Sequence, residues 1–129
     1  MKLLTKNILD KLLANGRKQD EVRGTAEEID FHPVVKLFTP DGGCTWLLTE
    51  LDPQDPDIAF GLCDLGMGCP ELGTVRKSQL ETGRGLMGMP IERDKFFKAS
   101  HPLSVYTRAA NQADRIVTDA GALEQAASA

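Results

Sequence analysis

Two carboxylates flank a guanidinium in Ile91-Glu92-Arg93-Asp94, and in an extended chain Glu92 and Asp94 project to one side while Arg93 projects to the other. Paired carboxylates can divide the acid and base roles of a hydrolytic reaction, so one reading of this block is a small hydrolase using Glu92 and Asp94. No nucleophile or second site element accompanies them. A salt-bridged structural role is the plainer account of the triplet. Just upstream, Gly83-Arg-Gly-Leu-Met-Gly88 has the letters of a dinucleotide-binding turn, but Pro90 and an extended run follow where a helix should open. The glycines are therefore expected to permit a tight chain path. As a phosphate loop the segment also fails, because Met89 and Pro90 occupy the places of the lysine and the hydroxyl residue.

Glu50, Asp52, Asp55, Asp57 and Asp64 gather oxygen donors near one end of a predicted hairpin, a set that suits a hard cation. Their spacing lacks the glycine and the later glutamate of a calcium loop, and aspartates beside prolines initiate turns, so no metal is assigned. His32 and His101 each adjoin a proline, with no cysteine or serine motif to make a zinc site or a triad. No cofactor is implied. Arg76, Lys77, Arg84, Arg93, Lys95 and Lys98 form a basic set in the second half, near Phe96, Phe97 and Tyr106, which makes nucleic-acid binding the alternative function. Glu92, Arg93, Asp94, Arg84 and Trp46 are accordingly the candidate binding residues.

The formal net charge of −4 opposes retention on nucleic acid by bulk charge and leaves only a local basic face. With 129 residues and 41% hydrophobic residues, the chain suits one soluble domain with its own core. Aromatics are only 5%, so that core is expected to be aliphatic. Cys44, Cys63 and Cys69 are odd in number and lack a Cys-x-x-Cys pair, which fits free thiols in a reducing compartment. No secretory pattern or membrane-spanning run is recognised, and a cytoplasmic location is expected.

These residues must be positioned by a small set of elements. Leu4, Ile8, Leu9, Leu12 and Leu13 recur at helical spacing, with Thr5 as a cap and Asn15-Gly16 as the predicted stop. A solvated connector is expected from Arg17 to Asp30. Val34 to Thr39, the Pro40-Asp41-Gly42-Gly43 turn and Cys44 to Leu51 read as a hairpin, with Trp46, Leu48 and Glu50 on one face and Leu47, Thr49 and Leu51 on the other. Ile58 to Cys63 and Glu71 to Val75 follow as strands. Gly61 is expected to mark a bulge or to leave room for a neighbour such as the Trp46 ring. Ser78 and Glu81 have the spacing of a capping box opening a short helix, Ile91 to Phe97 reads as an edge strand, and Pro102 suits the start of a C-terminal helix. The expected fold is α+β: an antiparallel sheet of four or five strands packed by an N-terminal helix, with a short helix and a C-terminal helix. The domain is placed at 1–108, followed by a frayed helical or disordered tail over 109–129. Trp46, Phe38, Phe60, Leu48, Leu62, Ile91 and Leu80 are its expected core.

Leu3-Leu-Thr-Lys6, Lys36-Leu-Phe-Thr-Pro-Asp41, Thr45-Trp46 with Thr49-Glu50, Phe60-Gly61, Glu71-Leu-Gly73, Ser78-Gln-Leu80 and Gly88-Met-Pro-Ile-Glu-Arg-Asp94 occur in an order that resembles the Domain of Unknown Function 2958 family. The resemblance covers residues 1 to about 107. It implies a small cytoplasmic bacterial protein of the kind carried on plasmids and integrating elements, and it brings no activity with it. Where the family tends to place aromatics, this chain has Leu62-Cys63 and Thr74-Val75. Together these readings favour a non-enzymatic accessory protein that binds another protein, with nucleic acid as the alternative partner and no membrane association.

Overall fold

The computed structural model describes residues 2–129. Five strands, β1 (Val35–Phe38), β2 (Thr45–Asp52), β3 (Asp55–Asp64), β4 (Glu71–Arg76) and β5 (Glu92–Arg93), form one antiparallel sheet in the order β4-β3-β2-β1-β5. The first four make a meander, and β5 returns to the free edge of β1. Helix α1 (Lys6–Val22) packs on one face, with α2 (Lys77–Thr82) at the end of β4. Helices α3 (Leu103–Ala113) and α4 (Ala120–Ala127) pack on the opposite face. The α+β architecture is the one anticipated.

The sheet separates two apolar clusters. Leu4, Leu12, Val35, Leu37, Trp46, Leu48, Leu51, Ala59 and Leu80 fill the space under α1. Leu47 and Leu62 pack against Leu103, Tyr106, Ala109, Ala110, Ile116, Val117, Leu123 and Ala126 on the other side. Of the expected core residues, Trp46, Leu48, Leu62 and Leu80 are buried, whereas Phe38, Phe60 and Ile91 are only half-buried.

Strand β2 departs from simple alternation. Its pairing with β3 shifts between Leu48 and Glu50, so Leu48 faces Gly61 but Glu50 faces Phe60. This irregularity returns Leu51 to the face of Trp46 and Leu48 and sends Glu50 to the other, correcting the faces assigned to both. Gly61 lies opposite that step. A Cβ at Gly61 would run into the Leu47 carbonyl oxygen and come within 2.8 Å of the Leu48 Cα, so the space is needed by the neighbouring backbone and not by the Trp46 ring.

Helix α1 starts where expected, with the Thr5 hydroxyl accepting from the Ile8 amide at 3.3 Å, but it continues past Asn15-Gly16 to Val22. The pair is a contact device. Asn15 Nδ2 donates to the Thr49 carbonyl at 2.9 Å, and Gly16 lets the helix lie against the Leu51 carbonyl, which any Cβ would strike. The first turns of the expected connector are thus helical. Gln19 then fastens the rest by exchanging two hydrogen bonds with the Ile29 backbone at 2.8 and 2.9 Å.

Two further expectations are corrected. Helix α2 begins at Lys77, and its orphan amide is capped by Asp57 of β3, which accepts from the Ser78 amide at 2.9 Å and the Ser78 hydroxyl at 2.8 Å. Glu81 instead lies 3.4 Å from Lys77. The expected domain end at 108 and the frayed tail also give way, because Ala109, Ala110, Ile116, Val117, Leu123 and Ala126 are buried. Asp114, in the left-handed region at φ 58, ends α3, and Asp119 caps α4 through the Ala122 amide. Small residues let this tail pack closely, a signal that a search for large aliphatics overlooks.

Leu123→Ala should therefore cost about 2–5 kcal/mol, as a buried leucine truncation does. Urea unfolding checks this, and an unchanged midpoint would place the tail outside the cooperative unit. In the same assay Gly61→Ala should cost at least about 1–3 kcal/mol through overpacking. Gly73→Ala, with nothing within 4 Å of the added carbon, should stay within about 0.5 kcal/mol of the parent.

Candidate functional site

Strand β5 places Glu92, Arg93 and Asp94 beside the outer edge of β1, with Leu37 opposite Arg93 and Phe38 opposite Glu92. Arg93 turns toward the start of the chain and donates to the carbonyls of Leu3 and Lys2. It clamps the N-terminal segment. Asp94 lies 3.7 Å from Lys36 and accepts from the Phe96 amide at 2.9 Å, while its own amide donates to the Lys36 carbonyl. Both residues are engaged in holding the edge together. Glu92 is exposed and has no ion pair among the described residues. Arg84 donates to the carbonyls of Thr82 and Gly83, and Trp46 lies buried under α1. The structure therefore brings Glu92, Arg93, Asp94 and Arg84 to one border but leaves Trp46 beneath it.

That border carries two open grooves. One, of about 630 Å³, runs between Lys36, Phe38, Thr45 and the Glu92–Phe96 segment. The other, of about 580 Å³, lies among Lys2, Leu3, Arg84, Ile91, Arg93 and Lys95. Among the charged residues lining the second groove, four are cations and two, Glu81 and Glu92, are anions. Phe96, at 96% exposure, stands beside the first.

The glycine loop is explained by an internal anion. Asp41, in the β1–β2 turn, accepts from the amides of Met87 and Met89 at 2.7 and 3.1 Å, and a Cβ at Gly85 would collide with its carboxylate. Gly88, at φ 83, supplies the reversal, and Arg84 bridges to Pro90. The backbone donors that could have held a phosphate are taken by a side chain. Gly43 and Gly66 also approach one another, so the turns 39–44, 64–70 and 83–90 meet at one end of the sheet. On their outer surface stand Leu65, Met67, Leu86, Met87 and Met89, all exposed.

A second feature at the other end of β2 was missed by the sequence reading. Glu50 is 5% exposed and lines two adjoining clefts, of about 540 and 190 Å³. The larger is walled by Ile58, Phe60 and Thr74 and rimmed by Asp20, Arg23, Asp52 and Gln54. Arg23 is bound to Asp20 at 2.8 Å and lies 3.5 Å from the Glu50 carboxylate. Burial raises the Glu50 pKa, and the Arg23 charge offsets this only in part. The other acids grouped with Glu50 are scattered: Asp55 and Asp57 face Arg76, and Asp64 accepts from the Gly66 and Ile116 amides. Among the described residues no group of three or more histidine, cysteine or acidic side chains could hold a metal ion. The bulge that turns Glu50 into the cleft has no residue signature in β2 beyond Gly61 on the facing strand.

Residues 3–117 match the family described as "Protein of unknown function (DUF2958)". The chain belongs to the DUF2958 family. No curated protein and no solved structure matches it. Membership fits the blocks that the fold brings together, since the Phe-Thr-Pro-Asp41 turn and the Gly88-to-Asp94 block form the two sides of the loop end. Among the described residues no helix is long and apolar enough to cross a membrane.

The sign of the Glu50 shift gives a stability test. The folded state holds its proton more tightly than the unfolded chain, so the Glu50 contribution is present below the ordinary value of 4.5 and is lost as pH rises through the raised folded value. Glu50→Gln removes that dependence. Across this window the stability of the variant relative to the parent should rise with pH in urea titrations at stepped pH, and a flat difference would show that the folded and unfolded states hold the proton alike.

Proposed function

We propose that this DUF2958 protein is a non-enzymatic binding module whose partner is another protein, engaged through the loop end of the sheet. The observation that carries the reading is the crown of apolar side chains around the Asp41 latch: Leu86 is 91% exposed, Met87 84% and Met67 74%. Monomeric proteins rarely expose clustered large apolar groups without a use for them, and methionine side chains adapt to varied partner shapes. Arg84 and Lys95 border the crown, so the partner surface it suits is apolar with an acidic rim. The wider role, an accessory protein of a mobile genetic element acting in the bacterial cytoplasm, rests on the genomic setting that the family resemblance implies.

A second reading has one observation of its own. Phe96 projects into solvent between Lys95 and Lys98, next to Lys36 and Phe38, which is the combination of exposed ring and cations that single-stranded nucleic acid uses. The hydrolase reading gains no such support, because Asp94 is already engaged by Lys36 and by the turn that follows it.

Affinity capture from a native bacterial lysate, with wild type beside Met87→Ser and Phe96→Ser variants, separates the readings. A stoichiometric protein retained by wild type and weakened about tenfold or more by Met87→Ser supports the protein-binding module. Both side chains are exposed, so each variant should stay within about 0.5 kcal/mol of wild-type stability. Nuclease-sensitive material lost with Phe96→Ser, with affinity falling steeply as salt rises, would instead establish the nucleic-acid reading. Capture of neither would overturn both.

A further inference from the structure

We propose that β4 is a dimerisation edge, to which a second copy of this chain adds its own β4 antiparallel, joining the two five-stranded sheets into one. The inference goes beyond the protein-binding reading and does not depend on the crown. β4 is the outer strand of the sheet and pairs with β3 over six consecutive residues without a shift in register. In such a ladder the backbone groups of alternate residues point away from the neighbour, so half of those in β4 face outward. Among the described residues, no backbone group outside this ladder bonds to Glu71–Val75. The opposite edge is closed, because β5 pairs with Leu37 and Phe38 and the Asp94 amide donates to the Lys36 carbonyl. β4 also lacks the usual guards of a free edge: Glu71–Arg76 contains no proline or lysine, and its pairing is unbroken.

The residues of β4 decide which strand fits there. A twofold axis through an antiparallel pair places one residue opposite its own copy. With Thr74 on that axis, Gly73 faces Val75 of the second copy, Leu72 faces Arg76 of the second copy, and Glu71 faces Lys77 of the second copy. Glu71 is exposed and has no ion pair among the described residues, whereas Lys77 holds only the weak, partly exposed pair with Glu81 at 3.4 Å. The acidic start of each strand thus meets the basic end of the other, at both ends of the pair. Parallel pairing would oppose like charges instead. Leu72, 49% exposed and on the face of Leu62, would be covered by the aliphatic stem of the facing arginine. The branched Val75 fills the space beside Gly73, where an added carbon has nothing within 4 Å. Centring on Gly73 would set Pro70, which has no amide, against Arg76 and leave Glu71 facing Val75. A strand pair this short lies near or below about 1,200 Å² in total, so the dimer is expected to be weak. Because β4 starts beside the 64–70 turn, the axis would send the two crowns to opposite ends.

The test is sedimentation equilibrium of the full chain from about 1 to 500 µM, where a dimer with Kd of about 10–100 µM is expected. Glu71→Lys sets like charges together at both ends and should weaken the dimer about tenfold or more. Adding Lys77→Glu restores opposite charges and should return Kd to within about threefold of wild type, which a strand pairing of any other register would not do. Directly opposed residues bring their Cβ atoms to about 4.5–5.5 Å, so in a Cys69→Ser background Thr74→Cys should form an intermolecular disulfide and Leu72→Cys should not. A monomer at about 500 µM, a dimer unmoved by Glu71→Lys, no recovery in the doubly substituted chain, or equal cross-linking from both positions would overturn the proposal. A dimer lost with Met87→Ser but kept with Glu71→Lys would place the contact on the crown and overturn it as well.

Discussion

The irregular step in β2 at Thr49 is the constraint on which the rest of the structure depends. Shifting the β2–β3 pairing there removes the Thr49 carbonyl from the regular ladder, and Asn15 of α1 supplies the missing donor. A buried carbonyl left without that donor would cost about 1–3 kcal/mol, so the helix is fixed to the sheet at one point along its length. Gly16 then permits contact with the Leu51 carbonyl, and Gly61 permits contact with Leu47 and Leu48 from the other strand. Three residues without bulky side chains or with a short amide thus serve a single irregularity. Its consequence is the division of labour along β2: Trp46, Leu48 and Leu51 enter the α1 core, and Glu50 is turned out to the opposite face.

Away from that step, aspartates hold the remaining connections. Asp57 caps α2 through Ser78, and Asp30 caps α3 through the amide and hydroxyl of Ser104 in the same way. Asp41 holds the glycine loop and Asp64 holds the turn before α4 through Ile116. Each carboxylate accepts from backbone amides that would otherwise be orphaned at a helix start or a tight turn. Much of the acidic excess is therefore spent within the fold. The Asp57 pKa is lowered chiefly by its hydrogen bond to the Ser78 hydroxyl, so this cap contributes above the ordinary carboxylate range and is lost as pH falls through the lowered value.

This arrangement explains what was legible in the sequence. The first two strands, the Thr5 cap and the Pro102 start depend on neighbours in the chain and appear where local pattern places them. The strand expected from Ile58 begins instead at Asp55, and the edge strand expected over Ile91 to Phe97 is reduced to Glu92–Arg93. Asn15-Gly16 and Ser78-x-x-Glu81 also have local meanings, but tertiary partners override them: Thr49 claims the asparagine and Asp57 claims the serine. The tail was misjudged because alanines at 109, 110 and 126 bury little area individually, while their small size lets α3 and α4 pack closely. Glu92, Arg93, Asp94 and Arg84 were recognisable as a charged block, but their engagement with Leu3, Lys36 and the glycine loop required contacts distant in sequence. Glu50 stands among five acids near one end of the predicted hairpin, and alternation alone puts it on the face of Trp46 and Leu48, because the shift in pairing with β3 has no mark within β2.

The two ends of β2 consequently carry opposite chemistry. From Thr45 to Glu50 the strand spans about 17 Å, enough to separate two surfaces on a domain of this size. At the Thr45 end, loops tied by Asp41 hold methionine and leucine side chains outward beside Arg84 and Lys95. At the Glu50 end, a carboxylate is withdrawn into a cleft with Asp20 and Asp52 at its rim. A loop surface can adjust to a partner because its side chains pack on little else, whereas the cleft is built from strand residues and a helix fixed by Asn15. The crown is thus an adaptable surface and the cleft a rigid one, in which Glu50 is met by Arg23. The same step in β2 that secures α1 turns Glu50 into that cleft, away from the face of Trp46 and Leu48.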